Sequence, residues 1–249
     1  MITFYPITSF PLLGLSLSVH GLFMALGALT GWFAAKLPSR ESGLDPKILE
    51  DVVTVAVVAG IVGARIGYVV LFGRDMTLIQ MLSIWEGGLV SHTGYLVGAV
   101  ACIAYLKWKQ QPIAAWADVL APSVVLGWVV GRIGDFLSWG EFGIPSSLPW
   151  AVSAFGTARH PTQIYESLAY LGVFFLTYHL SKKKGWASMP GMMAAFAAFG
   201  FGLSRFLIDF LRADPQGYRL VSQIISVTIV CASLIAMKRV RRAHSHAKS

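Results

Sequence analysis

Seven apolar stretches of about 20 residues each constrain this chain more than any other feature. A helix needs about 20 such residues to cross a bilayer core roughly 30 Å thick. The stretches run over approximately 16–36, 52–72, 89–106, 116–137, 163–180, 190–211 and 220–237. The fourth and fifth carry more small and polar residues than the second or seventh. Charged residues make up 13% of the chain, about half the usual complement of a soluble domain. The expectation is an all-α polytopic membrane protein of about seven transmembrane helices. It forms one integral membrane domain over 1–249, with 138–162 as an interfacial segment outside the spans.

Basic residues set the expected orientation, because Lys and Arg near span ends stay on the cytoplasmic side. One alternating set of segments holds Lys36, Arg40, Lys47, Lys107, Lys109, Lys182, Lys183, Lys184, Lys238, Arg239, Arg241, Arg242 and Lys248. The opposite set holds only Arg74, Arg159, Arg212 and Arg219. The N-terminus is therefore expected outside and the C-terminus in the cytoplasm. No Lys or Arg precedes the first apolar run, unlike a secretory signal, so that helix is expected to be retained. The net charge of +8 is split among short loops, which argues against a nucleic-acid partner. The tail instead suits contact with membrane lipids.

Three arginines fall inside spans: Arg65, Arg132 and Arg205. An intramembrane charge costs at least about 2.5–3.5 kcal/mol on insertion scales, so such residues face the protein interior or a wet cavity. All three are expected at one depth, near the outer ends of their spans. Asp135 shares a helical face with Arg132, and Arg205, Asp209 and Arg212 share another. Glu166 opens the fifth span, Glu141 follows the fourth, and His20 and His92 lie at the same expected depth. Gly60, Gly63 and Gly67, then Gly127, Gly131 and Gly134, repeat at spacings that permit close helix packing.

Arginines at headgroup depth suit a phosphate, which a guanidinium binds bidentately while always charged. They would also stabilise a departing phosphate. His92 has the ordinary titration range of a general base. The six histidines are scattered, so no metal or other cofactor is expected. Cys102 and Cys231 read as buried small hydrophobes. A transporter with an arginine-lined anion path is the non-enzyme alternative. Against it, seven spans do not divide into equal halves, and the inner halves lack polar residues.

The stretches HGLFMALG at 20–27, GARIGYVVLF at 63–72, WEGGLVSHTGYLVG at 85–98, VVGRIGDFLSWGEFG at 129–143, RHPTQIYE at 159–166, LSRFLIDFLRADPQ at 203–216 and LVSQIISV at 220–227 occur in this order. In these the chain resembles the bacterial prolipoprotein diacylglyceryl transferases over nearly its whole length. The resemblance implies a multi-pass enzyme of the bacterial inner (cytoplasmic) membrane. It would move a diacylglyceryl group from phosphatidylglycerol to the thiol of a lipobox cysteine in a prolipoprotein signal peptide, releasing glycerol phosphate. By that resemblance Arg132 and Arg205 match the two essential arginines and His92 the histidine of the family's HGG motif. His20, Asp135, Glu141, Gly143 and Asp209 match positions around the phosphatidylglycerol headgroup. The chain departs from the pattern in three respects. Asp135 stands where the family has asparagine, Thr93 and Tyr95 alter the turn after His92, and His20 replaces a tyrosine. They keep open an alternative reading, a divergent paralogue with another lipid donor or acceptor.

Overall fold

The computed structural model describes residues 2–12, 15–84, 87–214, 217 and 219–246. In chain order it opens with β1 (Ile2–Thr3), β2 (Ser9–Leu12), β3 (Leu15–Ser18), α1 (Val19–Glu41), α2 (Pro46–Phe72), α3 (Leu78–Leu82) and α4 (Ser91–Trp108). It continues with α5 (Ile113–Leu137), β4 (Val152–Ala154), β5 (Thr157–Arg159), α6 (Thr162–Ser181), α7 (Lys184–Ala187), α8 (Met192–Asp209) and α9 (Arg219–His246). Trp85, Glu86, Pro215, Gln216, Lys248 and Ser249, which entered the sequence reading, lie outside the described residues.

Each of the seven apolar stretches is a helix, with ends displaced by a few residues. Among the described residues five of them, α1, α2, α5, α8 and α9, are long and apolar enough to cross a membrane. The poorest stretches are thus α4 and α6, so only the fifth of the two expected weak spans is weak. At 1.5 Å per residue, the 27 residues of α2 extend about 40 Å, more than a bilayer core. Asp45 accepts from Lys47 N at 2.8 Å and Pro46 opens the first turn, both ordinary helix-start chemistry.

The chain divides into two compact units, Met1–Ala35 with Ala117–Ser249, and Lys36–Trp116. In the second unit α2 packs on α4. Arg65 of α2 donates to the backbone carbonyls of Met81 at 2.9 Å, Gly87 at 2.5 Å and Gly88 at 2.9 Å, and also to that of Gln80. Its guanidinium is therefore used in holding the loop after α3. The expected shared environment of three arginines does not include it as a free cation.

In the first unit α1 and α5 run antiparallel at backbone contact. A Cβ on Gly27 would lie 2.5 Å from the carbonyl oxygen of Gly127, and one on Gly127 would lie 2.7 Å from that of Gly27. No side chain fits at either position, and this fixes the register of the two helices. Tyr170 of α6 stacks on Phe201 of α8 with ring centroids 4.8 Å apart, within a core of Val125, Val129 and Ala197. Asp118 of α5 caps the start of α8, accepting from Gly191 N at 2.7 Å and Ala194 N at 2.8 Å. α9 buries Ser226 and Ser233. Cys231 is exposed rather than buried as expected, because it lies off that packed face.

Among the described residues two small sheets, which the sequence does not signal, accompany these helices, one of three strands and one of two. β1 pairs parallel with β4, and β4 pairs antiparallel with β5. The hairpin turn is Phe155–Gly156, with φ of +54° and +83°, matching the left-handed turns that close two-residue hairpins. Segment 138–162 is thus partly structured. Trp139, Val152 and Ala154 form a buried cluster against Phe4, Phe136 and Phe142, whereas Trp150 and Phe155 are exposed.

Candidate active site

The first unit gathers three arginines and four carboxylates. Arg132 is on α5, Arg205 on α8, and Arg212 just beyond α8. At the centre is Glu166 in the first turns of α6, whose side chain is 1% exposed. Arg205 Nη1 donates to Glu166 Oε1 at 2.8 Å, and Arg212 Nη1 donates to the same oxygen at 3.2 Å. Arg132 Nε lies 2.7 Å from Glu166 Oε2 but makes no hydrogen bond, so that contact is an ion pair off the N–H axis.

Each arginine has a second acid. Arg132 Nη1 donates to Asp135 Oδ2 at 2.6 Å and to Glu141 Oε2. Arg212 Nη2 lies 2.9 Å from Glu141 Oε2. Asp209 Oδ1 lies 3.4 Å from Arg205 Nε and 3.6 Å from Arg212 Nε. Its Oδ2 accepts from Ser222 Oγ of α9 at 2.5 Å. The remaining oxygen of Asp135, Oδ1, lies 2.6 Å from His20 Nδ1 of α1. Nη2 of Arg132 and Nη2 of Arg205 have no hydrogen-bond partner among the described residues. The Trp128 ring lies under the Arg132 guanidinium, 5.1 Å from centroid to Cζ, a cation–π contact that restrains it.

Backbone geometry explains how Glu141 and Arg212 meet. Gly140 N donates to Asp135 O at 2.8 Å as α5 ends, and Glu141 takes a left-handed φ of +51°. That conformation costs of order 1–3 kcal/mol in a residue with a side chain. Two side chains of α6 hold it: Thr162 Oγ1 donates to Glu141 O at 3.1 Å and Gln163 Nε2 to Gly140 O at 2.5 Å. Beyond it, Ile144 N donates to Leu211 O at 2.9 Å and Ala213 N to Phe142 O at 3.0 Å. The two segments pair, and their acid and base stand side by side. Gly143 sits where three backbones converge. A Cβ there would lie 2.5 Å from His160 O and 2.9 Å from Leu211 O.

Glu141 keeps 48% of its side chain accessible. Partial burial works against its charge, but Arg132, then Arg212 and Arg205, outweigh burial and hold its carboxyl well below the usual carboxylate range.

Of the residues named from sequence, His20, Arg132, Asp135, Glu141, Arg205 and Asp209 belong to this one ion-pair network, with Gly143 shaping its backbone. His92 belongs to the second unit, in the first turn of α4, where it is exposed. Sequence reasoning missed the weight of Glu166 and Arg212. The signal for Glu166 is a single acid on an otherwise apolar helix, and the signal for Arg212, otherwise one of the loop cations, is the face it shares with Arg205 and Asp209. Among the described residues no group of three or more His, Cys, Asp or Glu side chains is placed to hold a metal ion.

Membrane-length helices that bury paired arginines and carboxylates near their ends define an integral membrane protein with an ion-pair network at its helix ends. The prolipoprotein diacylglyceryl transferase family profile matches residues 8–239. The phosphatidylglycerol–prolipoprotein diacylglyceryl transferase of Prochlorococcus marinus strain NATL1A is 30% identical over 264 residues, covering 90% of this chain and 87% of that protein. The protein of the same name from Finegoldia magna is 29% identical, covering 91% and 92%. That from Parasynechococcus marenigrum is 31% identical, covering 81% and 78%. The chain belongs to the prolipoprotein diacylglyceryl transferase family.

Proposed function

We infer that this chain transfers a diacylglyceryl group from phosphatidylglycerol to the lipobox cysteine thiol of an exported prolipoprotein, releasing glycerol phosphate. One observation carries the site reading. Arg132 and Arg205, on different helices, are held by the two oxygens of one buried carboxylate, Glu166, and each keeps an Nη2 with no hydrogen-bond partner among the described residues. A phosphate oxygen is the natural acceptor for such a donor pair. As the sulfur–carbon bond forms at the glyceryl carbon, the carbon–oxygen bond to phosphate breaks, and the arginines stabilise the charge left on that oxygen.

The remaining roles belong to the same proposal. His92 takes the thiol proton, while His20, Asp135, Glu141, Gly143 and Asp209 surround the headgroup. Seven helices span the bacterial inner membrane as one domain, with the N-terminus outside and the C-terminus in the cytoplasm. Segment 138–162 then lies at the outer headgroup level. The test is to incubate the purified protein with phosphatidylglycerol and a lipobox peptide and look for the thioether product by mass. Asp135, which already occupies Arg132, favours a second reading in which another phospholipid is the donor. A panel of donor lipids in the same assay separates the two.

A further inference from the structure

The ion-paired network has an uneven charge count. Its guanidiniums are those of Arg132, Arg205 and Arg212, and its carboxylates those of Asp135, Glu141, Glu166 and Asp209. With all seven ionised the network is one charge negative, and a phosphate entering it makes the sum worse. A buried uncompensated charge is expensive. Among the described residues the one other titratable member is His20. Its Nδ1 lies 2.6 Å from Asp135 Oδ1, and 48% of its side chain is accessible.

With Nδ1 turned to a carboxylate, that nitrogen carries a proton in either charge state, and Nε2, across the ring, points away from Asp135. Nε2 has no partner among the described residues. Asp135 is only 7% exposed, and its other oxygen is fixed by Arg132 at 2.6 Å. The carboxylate therefore cannot turn away from the ring without breaking a buried pair. An orienting acid on one ring nitrogen and an open second nitrogen is the arrangement of a side chain that exchanges protons. The antiparallel register set at Gly27 and Gly127 puts His20 opposite Asp135.

We propose that His20 works as an imidazolium, neutralising the network and donating its Nε2 proton to the phosphate oxygen that departs from the glyceryl carbon. This rests on the transferase reading above. The sulfur–carbon bond forms and the carbon–oxygen bond breaks, the electron pair stays on the phosphate oxygen, and that oxygen takes the His20 proton. The thiol proton leaves to the base, His92, and solvent reprotonates His20. Two histidines thus divide the acid and base work.

The charged groups facing His20 are Asp135 and Arg132 of α5 and Glu141 of the following turn. Arg132, a guanidinium, stays charged throughout, and of the groups named here the imidazole is the one whose ordinary range lies near neutral pH, so the activity limb at neutral to mildly alkaline pH belongs to His20. The experiment is the pH dependence of kcat for the full-length protein in phosphatidylglycerol micelles with a lipobox peptide, for wild type and His20→Gln. Glutamine can keep a hydrogen bond to Asp135 but does not titrate. Wild-type kcat should fall as pH rises through the imidazolium range. His20→Gln should lose this alkaline limb and about 100-fold in kcat at neutral pH, the lower end of general acid–base effects. Retention of the alkaline limb in the variant overturns the proposal, as does loss of the acidic limb in its place, which would make His20 a base. Should His20→Gln not insert, His20→Asn, which likewise does not titrate, is read the same way. If the wild type forms no thioether from phosphatidylglycerol, it is the donor assignment that fails. The limb is then read on the phospholipid of the panel that is turned over.

Discussion

Arg205 Nη1 stands 2.8 Å from Oε1 of Glu166, a carboxylate 39 positions earlier in the chain. The same carboxylate holds Arg132 at 2.7 Å and Arg212 at 3.2 Å. Glu166 is thus the common counter-ion of arginines on α5, on α8 and beyond it. Removing one partner of a buried pair typically costs about 3–5 kcal/mol, because the others are left uncompensated. Glu166→Ala is expected to lower thermal stability in detergent by an amount of that order and to abolish transfer. Glu166→Gln, which keeps the shape and loses the charge, should insert in the membrane yet remain largely inactive. Wild-type melting of Glu166→Ala would show that Asp135, Glu141 and Asp209 suffice to compensate the arginines.

Substitution of the arginines separates charge from geometry. Lysine keeps the charge but presents no planar fork. Arg132→Lys and Arg205→Lys are expected to lose roughly 100-fold or more in kcat/KM, in line with removal of a donor to developing charge, with normal membrane insertion. Arg74→Lys is an exposed control and should be nearly silent. Turnover of the two span variants at the wild-type rate would leave these arginines as anchors only.

Asp135 occupies Arg132 Nη1 at 2.6 Å and so competes with any phosphate for that guanidinium. A charge pair at 4 Å and an effective dielectric near 20 interacts by about 4 kcal/mol before desolvation. Most of that is offset when the ions leave water. Asp135→Asn is therefore expected to lower KM for phosphatidylglycerol by about 3- to 10-fold, corresponding to roughly 1 kcal/mol. Kinetics across phospholipid donors check this, and an unchanged KM for every donor would place the carboxylate outside the donor site.

Glu141 should give the protein a pH-dependent stability. Its folded carboxyl lies below the usual range, whereas the unfolded chain titrates near about 4.3. Its stabilisation is therefore complete above about pH 4.3 and is lost as pH falls from there toward the depressed folded value. Wild type should melt above Glu141→Gln at about pH 7, and the gap should narrow by about pH 3. A gap that stays constant or widens on acidification contradicts the ion-pair reading.

Orientation can be read with reporters. The unequal distribution of Lys and Arg predicts that a fusion after Ser249 reports the cytoplasm and one within 138–162 reports the exterior. Reversal at either site would remove the argument that the arginine network faces the outer leaflet.

The sequence by itself determined the helices over the seven apolar stretches, because a single apolar segment can pair its own backbone groups only as a helix. It also marked Arg132, Asp135, Arg205 and Asp209 as paired interior charges, since charges are costly in such helices and i, i+3 and i, i+4 spacing puts each pair on one face. It could not find the strands, which are two to four residues long, too short for an alternating pattern to stand out. Nor could it choose among arginines of equal cost: Arg65 is occupied by loop carbonyls, while Arg212 is drawn in by the pairing of segments around Gly143 and Leu211. The meeting of His20 with Asp135, 115 positions apart, depends on the Gly27–Gly127 contact. Small-residue spacing shows that a helix can be approached closely, but not which helix approaches or in what register. Only the packed backbones decide that.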